Sequence, residues 1–424
     1  YIEDKLAGNP WATKLHFPVH CVSKITTEDK ISGYKFISEY KYHHGYYDHA
    51  EKEFRGFGMV EQIDAETFEE WVKGDASNIV EKPLHQEPVV SKSWFHTGAF
   101  IGNENILSQF QNDYWYANME RQGFTVVHHE AELPDAILVT GPELDPAIID
   151  QLSAVEWREA LRACKGMAMR TEIFARDAIK NGATPEAIQK ELTPYSVSTH
   201  NCIIELVQPK GNNQHAIFIV KESEAITYQY ERNPEDPRVA HTLNIKLDKY
   251  GNVLESASVV YPRRSPDTSL PVEIREAQGK TAIIYTKNNF TNDIADDVLQ
   301  PDLYRLPLPS EVQTFELKDV SKQDDYFKPG DFEEILSDTH STTAEYFEID
   351  KIPDAGKAQR RLIEHIRTIY YRNDLTGQLP LHQLESLALP FENYQLAYTP
   401  ALLNNIFDTK ATTALMDEGK FTHS

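Results

Sequence analysis

Cysteine is scarce in this chain: three residues in 424, Cys21, Cys164 and Cys202, stand far apart. Such spacing supports neither a disulfide framework nor a zinc knuckle, and each thiol is expected to pack in isolation as a small hydrophobe. Positive charge is also short, with 42 Lys plus Arg against 66 Asp plus Glu and a formal net charge of -24. A field of that sign repels phosphate backbones and anionic lipid surfaces, so nucleic acid is not expected as a partner. Long apolar runs are missing too. Stretches such as Ala216-Ile217-Phe218-Ile219-Val220 fall far below the roughly 20 residues a membrane helix requires, so no membrane span is expected. Neither an initiating Met nor a charged-then-apolar leader opens Tyr1-Ile2-Glu3-Asp4, which reads as a fragment of a much longer polypeptide.

The motifs of common chemistries are absent as well: no Gly-x-Ser-x-Gly elbow, no Walker loop, no His-Glu-x-x-His, and no dinucleotide Gly-x-Gly-x-x-Gly after a strand. Gly56-Phe57-Gly58 fits a β-bulge or a close backbone approach instead. His43-His44 with His49, and His128-His129-Glu130, have the residue types of metal ligands. Adjacent side chains on a strand point to opposite faces, however, which favours ordinary surface or core imidazoles. Cys164 is expected near a helix end beside Arg162 and Lys165, cations that can acidify a thiol, but without a His partner it reads as a core or surface cysteine. Carboxylates are too abundant for any pair to stand out as acid and base. No catalytic, cofactor-binding or metal-ligating residue is therefore assigned, and no cofactor is expected.

What the chain does have is aromatic residues, 21 Tyr and 19 Phe, which favour pleated, half-buried surfaces. Residues 34–42 alternate Tyr34, Phe36, Tyr40 and Tyr42 against Lys35, Glu39 and Lys41, a strand period. Residues 53–61 are strand-like, with a loop or turn at Gly45-Tyr46-Tyr47-Asp48 between the two. Residues 202–207 and 215–220 flank a turn at 209–213, which predicts a hairpin buried on both faces. The run 226–230 follows as another strand, ended by Asn233-Pro234-Glu235-Asp236-Pro237. A second hairpin is expected from Leu243, Ile245 and Leu247, through a turn at 248–252, to Val253–Tyr261. Further strands are expected at 167–176, 281–287, 312–317 and 344–349. Helical spacing recurs at 106–116, 146–164 and 357–371, and Thr184-Pro185-Glu186 has the order that opens a helix. Loops or seams are expected at 263–271 and 319–331.

Several of these segments carry a resemblance. Tyr42-His43-His44-Gly45-Tyr46-Tyr47-Asp48 leading into Glu53-Phe54-Arg55-Gly56-Phe57-Gly58, then Trp94-Phe95-His96-Thr97-Gly98-Ala99, Leu161-Arg162-Ala163-Cys164-Lys165-Gly166 and Tyr230-Glu231-Arg232-Asn233-Pro234 come first. Tyr304-Arg305-Leu306-Pro307-Leu308-Pro309, Arg361–His365 and Leu384–Pro390 follow. In order, these strings resemble the middle and C-terminal region of the B component of bacterial insecticidal toxin complexes (Tc toxins), which is SpvB-related. Leu247–Leu254 also looks like a degenerate YD-type hairpin, although one copy makes no repeat.

The resemblance implies a mainly β fold: antiparallel hairpins of an Rhs/YD-repeat-like hollow shell with short helical insertions. It divides the chain into an N-terminal β segment at 1–90, a β segment with helical insertions at 91–200 and a hairpin segment at 201–424. It implies a secreted structural component that is not an enzyme and that encloses a cytotoxic effector together with the C component. Docking on the A component pore would use a propeller outside this stretch. Some Tyr and Phe faces are expected to line the lumen. Two other readings stand beside this one, a secreted carbohydrate-active hydrolase using paired carboxylates and an Rhs-type surface binding module.

Overall fold

Alternating aromatic and β-branched residues favour extended backbone because their side chains pack well on a pleated surface. In the computed structural model this preference produces a strand-dominated chain with short helices. The structure describes residues 1–64, 88–295, 303–336 and 344–421, apart from positions 7, 9, 14, 32–34, 101, 129, 180, 181, 323, 411 and 420. Tyr34 and His129 thus lie outside the described residues. The chain divides into two compact units: Tyr1–His241 with Tyr261–Lys280, and Thr242–Val260 with Thr281–Ser424.

In the first unit, β1 (Lys24–Glu28), β2 (Lys35–Asp48), β3 (Glu53–Asp64) and β4 (Val89–Phe95) lie side by side, each antiparallel to the next. A short strand, β5 (Ile137–Thr140), precedes β6 (Ala168–Ala175), β7 (Ser196–Gln208) and β8 (Ile217–Gln229). β6 pairs with β4 on one side and with β7 on the other. β7 is long enough to use one edge twice: Ser196–Thr199 pair with β6, and Ile203–Leu206 pair in parallel with β5.

The hairpin expected at 202–220 is longer than foreseen. β8 runs on through Ile226, Thr227 and Tyr228, which are its continuation rather than a separate strand. The expectation of burial on both faces is corrected: β7 alternates, with Val197, Thr199 and Asn201 buried and their neighbours partly exposed. At the register shift, where β8 carries the extra residue Ser223, Asn201 and Cys202 are both buried, and from there on Cys202, Ile204 and Leu206 are the buried positions. Likewise Gly45–Asp48 is the end of β2 rather than a turn, and the chain reverses just beyond it, at 49–52.

The helices of this unit are α1 (Ile2–Leu6), α2 (Asn103–Asp113), α3 (Trp115–Arg121), α4 (Ala154–Ala163), α5 (Pro185–Leu192) and α6 (Val272–Gln278). The helix expected at 106–116 is two helices, broken at the extended Tyr114. The one expected at 146–164 is a 3-10 turn, Pro146–Gln151, followed by α4. Ser153 makes the break. Its side chain accepts from the Glu156 amide while the Glu156 carboxylate accepts from the Ser153 amide, a capping box that starts a new helix. Thr184 caps α5 by accepting from the Ala187 amide.

The strand β9 (Arg238–Leu247) carries the chain from the first unit into the second. A turn follows in which Asp248 Oδ1 accepts from the amides of Tyr250 and Asn252, with Gly251 at φ +86°. In the second unit β10 (Val253–Val260), β11 (Ala282–Phe290) and β12 (Pro309–Lys318) form successive antiparallel pairs. β13 (Glu345–Tyr346) is all that remains of the strand expected at 344–349. β14 (Gln359–Tyr370) pairs with β12 and β13, and β15 (Pro390–Gln395) lies along its far half. Short helices α7 (Pro329–Leu336), α8 (Pro400–Phe407) and α9 (Thr413–Glu418) complete this unit.

β14 overturns the helix expected at 357–371. Leu362, Ile363, Ile366 and Ile369 do recur at helical spacing, but β12 and β15 both supply backbone partners to this segment, and β-branched side chains suit a ladder. The misfit in period is absorbed by an irregularity: Glu364 pairs with Thr314 and Leu362 with Phe315, leaving Ile363 as the extra, exposed residue.

Candidate functional site: polar nodes and a histidine cleft

The strings that carried the resemblance in the first half meet in space. Phe57 pairs with Gly45 and Phe54 with Tyr47, so β3 holds one residue more than β2, and Gly56 takes φ +96° in that bulge. The bulge presents Arg55, whose side chain is fully buried. Its Nη2 lies 2.7 Å from Asp48, its Nε 3.4 Å from Glu53, and its Nη1 donates to the Gly98 carbonyl. Glu53 also meets Arg162 at 3.1 Å and Lys165 at 3.3 Å. Burial alone would raise the Glu53 carboxyl, but these two cations outweigh it and hold it below its usual value. Gly98, at φ +67°, sits against α4 so closely that a Cβ there would fall 2.9 Å from the Leu161 carbonyl. Gly58 is pressed onto Phe110 of α2, where a Cβ would fall 2.4 Å from the ring.

A second node is drier. Arg170 of β6 reaches Glu130 at 2.6 Å and Glu172 at 2.7 Å, all three side chains being essentially inaccessible. Its guanidinium lies 4.2 Å from the Tyr114 ring centre, a cation-π contact. Glu130 accepts from Trp115 Nε1 and from the Tyr230 hydroxyl, both at 2.8 Å, and Glu172 accepts from the Trp115 amide at 3.1 Å. Two carboxylates share one cation here. Burial, the largest influence, raises the Glu172 carboxyl despite Arg170 and Lys92. This is the paired-carboxylate arrangement of the hydrolase reading, but it has no opening to substrate, so it works as a bolt among α3, β6 and Tyr230.

Two of the sequence candidates, His43 and His44, line a cleft. His44 has φ +55°, which breaks the strand alternation, and both rings border the same cavity of about 150 Å³. His43 Nδ1 lies 2.8 Å from Asp4, which also accepts from Trp11 Nε1 at 2.6 Å; His44 Nε2 lies 2.6 Å from Asp113. Burial would raise Asp4, but the Trp11 and His43 hydrogen bonds bring it below its usual value. Glu61, Lys92 and Arg121 also line the cleft, and among the described residues that line it none carries a hydroxyl or thiol. Each imidazole is thus engaged by its own carboxylate. Among the described residues no group of three His, Cys, Asp or Glu side chains is placed to hold a metal ion. His49 packs on His16 and Tyr47 instead, and His128 is exposed.

Two groupings were not foreseen. In the second unit Ser310 Oγ lies 2.8 Å from His382 Nδ1, and His382 Nε2 lies 3.5 Å from Glu311, the residue types of an acyl-transfer triad. Ser310 is 1% exposed and its hydroxyl donates to the Asn289 carbonyl, so it is a clasp between strands and not a nucleophile facing a cleft. Glu311 further accepts from Asn289 at 2.7 Å and Arg367 at 2.9 Å and meets His365 at 2.6 Å. In the first unit Cys164 and Cys202 are not isolated thiols: they share one buried cluster with Ala160 and Ile204. Cys164 is pushed up by its hydrogen bond with Cys202 and by burial, the opposite of a reactive thiol activated by Arg162 and Lys165.

With this geometry established, comparison with known proteins separates the readings. Residues 2–86 match the model of the insecticide toxin TcdB middle/N-terminal region, and residues 159–300 match that of the TcdB middle/C-terminal region. Together these cover more than half of the chain, in the order the family has them. The chain belongs to the TcdB insecticide toxin family. As a TcdB-family chain it is similar to the solved TcdB2-TccC3 structure at 20% identity and a TM-score of 0.70, covering 99% of this chain and 18% of that one. A Photorhabdus luminescens Tc holotoxin pore matches at 19% identity and a TM-score of 0.66, covering 99% of this chain and 17% of that one. The TcdB-family segment therefore spans less than a fifth of the chains it matches, and at this identity the likeness establishes the fold. A search of curated proteins found no match.

Proposed function

We propose that this chain is a stretch of shell wall from a secreted Tc toxin B component, which encloses a cytotoxic effector together with a C component and performs no chemistry itself. The observation that carries this reading is where the family strings lie. Arg55, Glu53 and Arg162 tie strands and a helix to one another, and none of these side chains addresses an open site. Antiparallel hairpins satisfy each other's backbone groups laterally, which lets a wall grow along its edge without a separate core for every hairpin. Within the wall, 1–90, 91–200 and 201–424 act as successive lengths of one sheet, joined through β4 and β7, inside which the two boundaries fall. Delivery through an A component pore uses parts of the B component beyond this chain. In support, the names of the solved neighbours pair TcdB2 with TccC3.

Some aromatic side chains remain available to the lumen. The array formed by Tyr42, Phe54 and Phe57, however, is packed by Trp11 and Phe17 of the N-terminal segment. Lumenal aromatics are therefore sought elsewhere, as at the exposed Tyr304 and Tyr346. The test is co-expression of the parent B component with an adjacent C component gene, followed by size-exclusion chromatography. Co-elution as one large particle is expected, and separate elution contradicts the proposal.

A further inference from the structure

We propose that Cys164 and Cys202 form a latent disulfide that staples α4 to β7 in the interior of the first unit. The two thiols are distant in sequence but lie together in one packed cluster with Ala160 and Ile204, 1% and 2% exposed. Two features fix the approach. Cys164 is the residue that ends α4, with its Sγ donating to the Leu161 carbonyl at 3.0 Å. Cys202 sits at the register shift of the β7 and β8 ladder, where Asn201 pairs with Glu224 and Cys202 with Glu222. Cys164 therefore stands at a helix end, and Cys202 stands on β7 opposite the bulge that Ser223 makes in β8, places where the ladder is already irregular and the small adjustment a disulfide needs distorts few hydrogen bonds. Ala160, Ile204, Leu138, Met167 and Val220 pack in the same cluster as the pair. The third cysteine, Cys21, is exposed and has no cysteine beside it among the described residues.

The oxidant is a small-molecule disulfide such as glutathione disulfide, present where proteins are secreted or refolded. One protein thiol, as thiolate, attacks a sulfur of the oxidant, breaking its S–S bond and releasing the first equivalent of small thiol, which takes up the proton lost by the protein. The second protein thiol then attacks the mixed disulfide and releases the second equivalent. Two protein S–H bonds and one small-molecule S–S bond are lost; one protein S–S bond and two small thiols are gained. Closing the covalent loop from α4 through β6 and α5 to β7 restricts the unfolded chain, and the oxidised protein should resist unfolding more than the reduced one.

The experiment refolds the full chain in a glutathione redox buffer or in reduced glutathione alone. Free thiols are alkylated under denaturing conditions, and non-reducing peptides are mapped by mass spectrometry. The expected product is a linked peptide pair containing Cys164 and Cys202, lighter by two hydrogens, with Cys21 alkylated or carrying glutathione. Melting should rise by roughly 5 °C on oxidation and return on addition of dithiothreitol. A Cys21→Ser variant should behave identically, while Cys202→Ala should abolish both the linkage and the shift. Full alkylation of Cys164 and Cys202 after oxidative refolding, or a linkage through Cys21 instead, overturns the proposal. Because the peptide map of the unsubstituted chain decides the matter, it stands even if an alanine variant fails to fold.

Discussion

Glu172 in the first unit and Glu311 in the second are both strand carboxylates beside an arginine, and both are nearly inaccessible, 0% and 7% exposed. Their protonation is nonetheless pushed in opposite directions. Glu172 shares Arg170 with a second carboxylate, Glu130, and burial prevails, so its carboxyl rises. Burial acts the same way on Glu311, but His365, Arg367 and Asn289 all converge on it, and its carboxyl falls to about 2. The lesson is that burial does not set the direction of the shift. The ratio of donors and cations to carboxylates does.

The sharpest way to break this comparison is to remove the cation from each node. Arg170→Leu leaves two buried carboxylates facing one another and should cost about 3–5 kcal/mol in urea unfolding, or prevent folding. Arg367→Leu should cost clearly less, because His365 and Asn289 still hold Glu311. An equal loss at both sites would mean that donor count does not matter. Next in size is a steric test in the first unit alone. Gly58→Ala drives a methyl into Phe110 and should cost about 1–3 kcal/mol, with part of that recovered in a Phe110→Leu background.

The pH dependence should then separate the two carboxylates by sign. The depressed Glu311 contributes stability that is fully present above its unfolded value of 4.5 and is lost as pH falls toward about 2. Glu311→Gln should flatten that acid limb. Glu172, whose carboxyl is raised, behaves in the reverse sense: its contribution is greatest below 4.5 and fades as pH rises through its folded value. Glu172→Gln, which keeps the side chain neutral, should therefore lessen the loss of stability on the rising side. The same slope in both variants would contradict the comparison. The smallest effect is expected from Ser153→Ala, which removes half of the capping box at α4 and should cost about 1 kcal/mol.

Strands with a clear period of two, such as 36–42 and 243–247, and punctuation such as Thr184-Pro185 were legible from sequence because the information is local. β14 was not, since Ile363, Ile366 and Ile369 satisfy a helical spacing and only the partners on either side, contributed by distant residues, decide for a strand. The helix expected at 146–164 was half legible. Its apolar stripe is real, but the capping box at Ser153 outweighs continuity. At the level of sites, the family strings could be read before their purpose could. Arg55 meets Asp48, Gly98 and, through Glu53, Arg162 only once four separate strings are folded together. Cys164 and Cys202 were misjudged for the same reason, because separation in sequence says nothing of adjacency across a helix end and a bulge.

The most direct test of the wall reading is cryo-electron microscopy of the parent B component assembled with its C component. The account predicts that residues 1–424 lie in the partition itself, with β2, β7 and β14 each running as strands of the wall and effector density on one side only. A chain folded as a separate globule outside the shell, or one whose His43 and His44 cleft holds a substrate-like molecule, would contradict it.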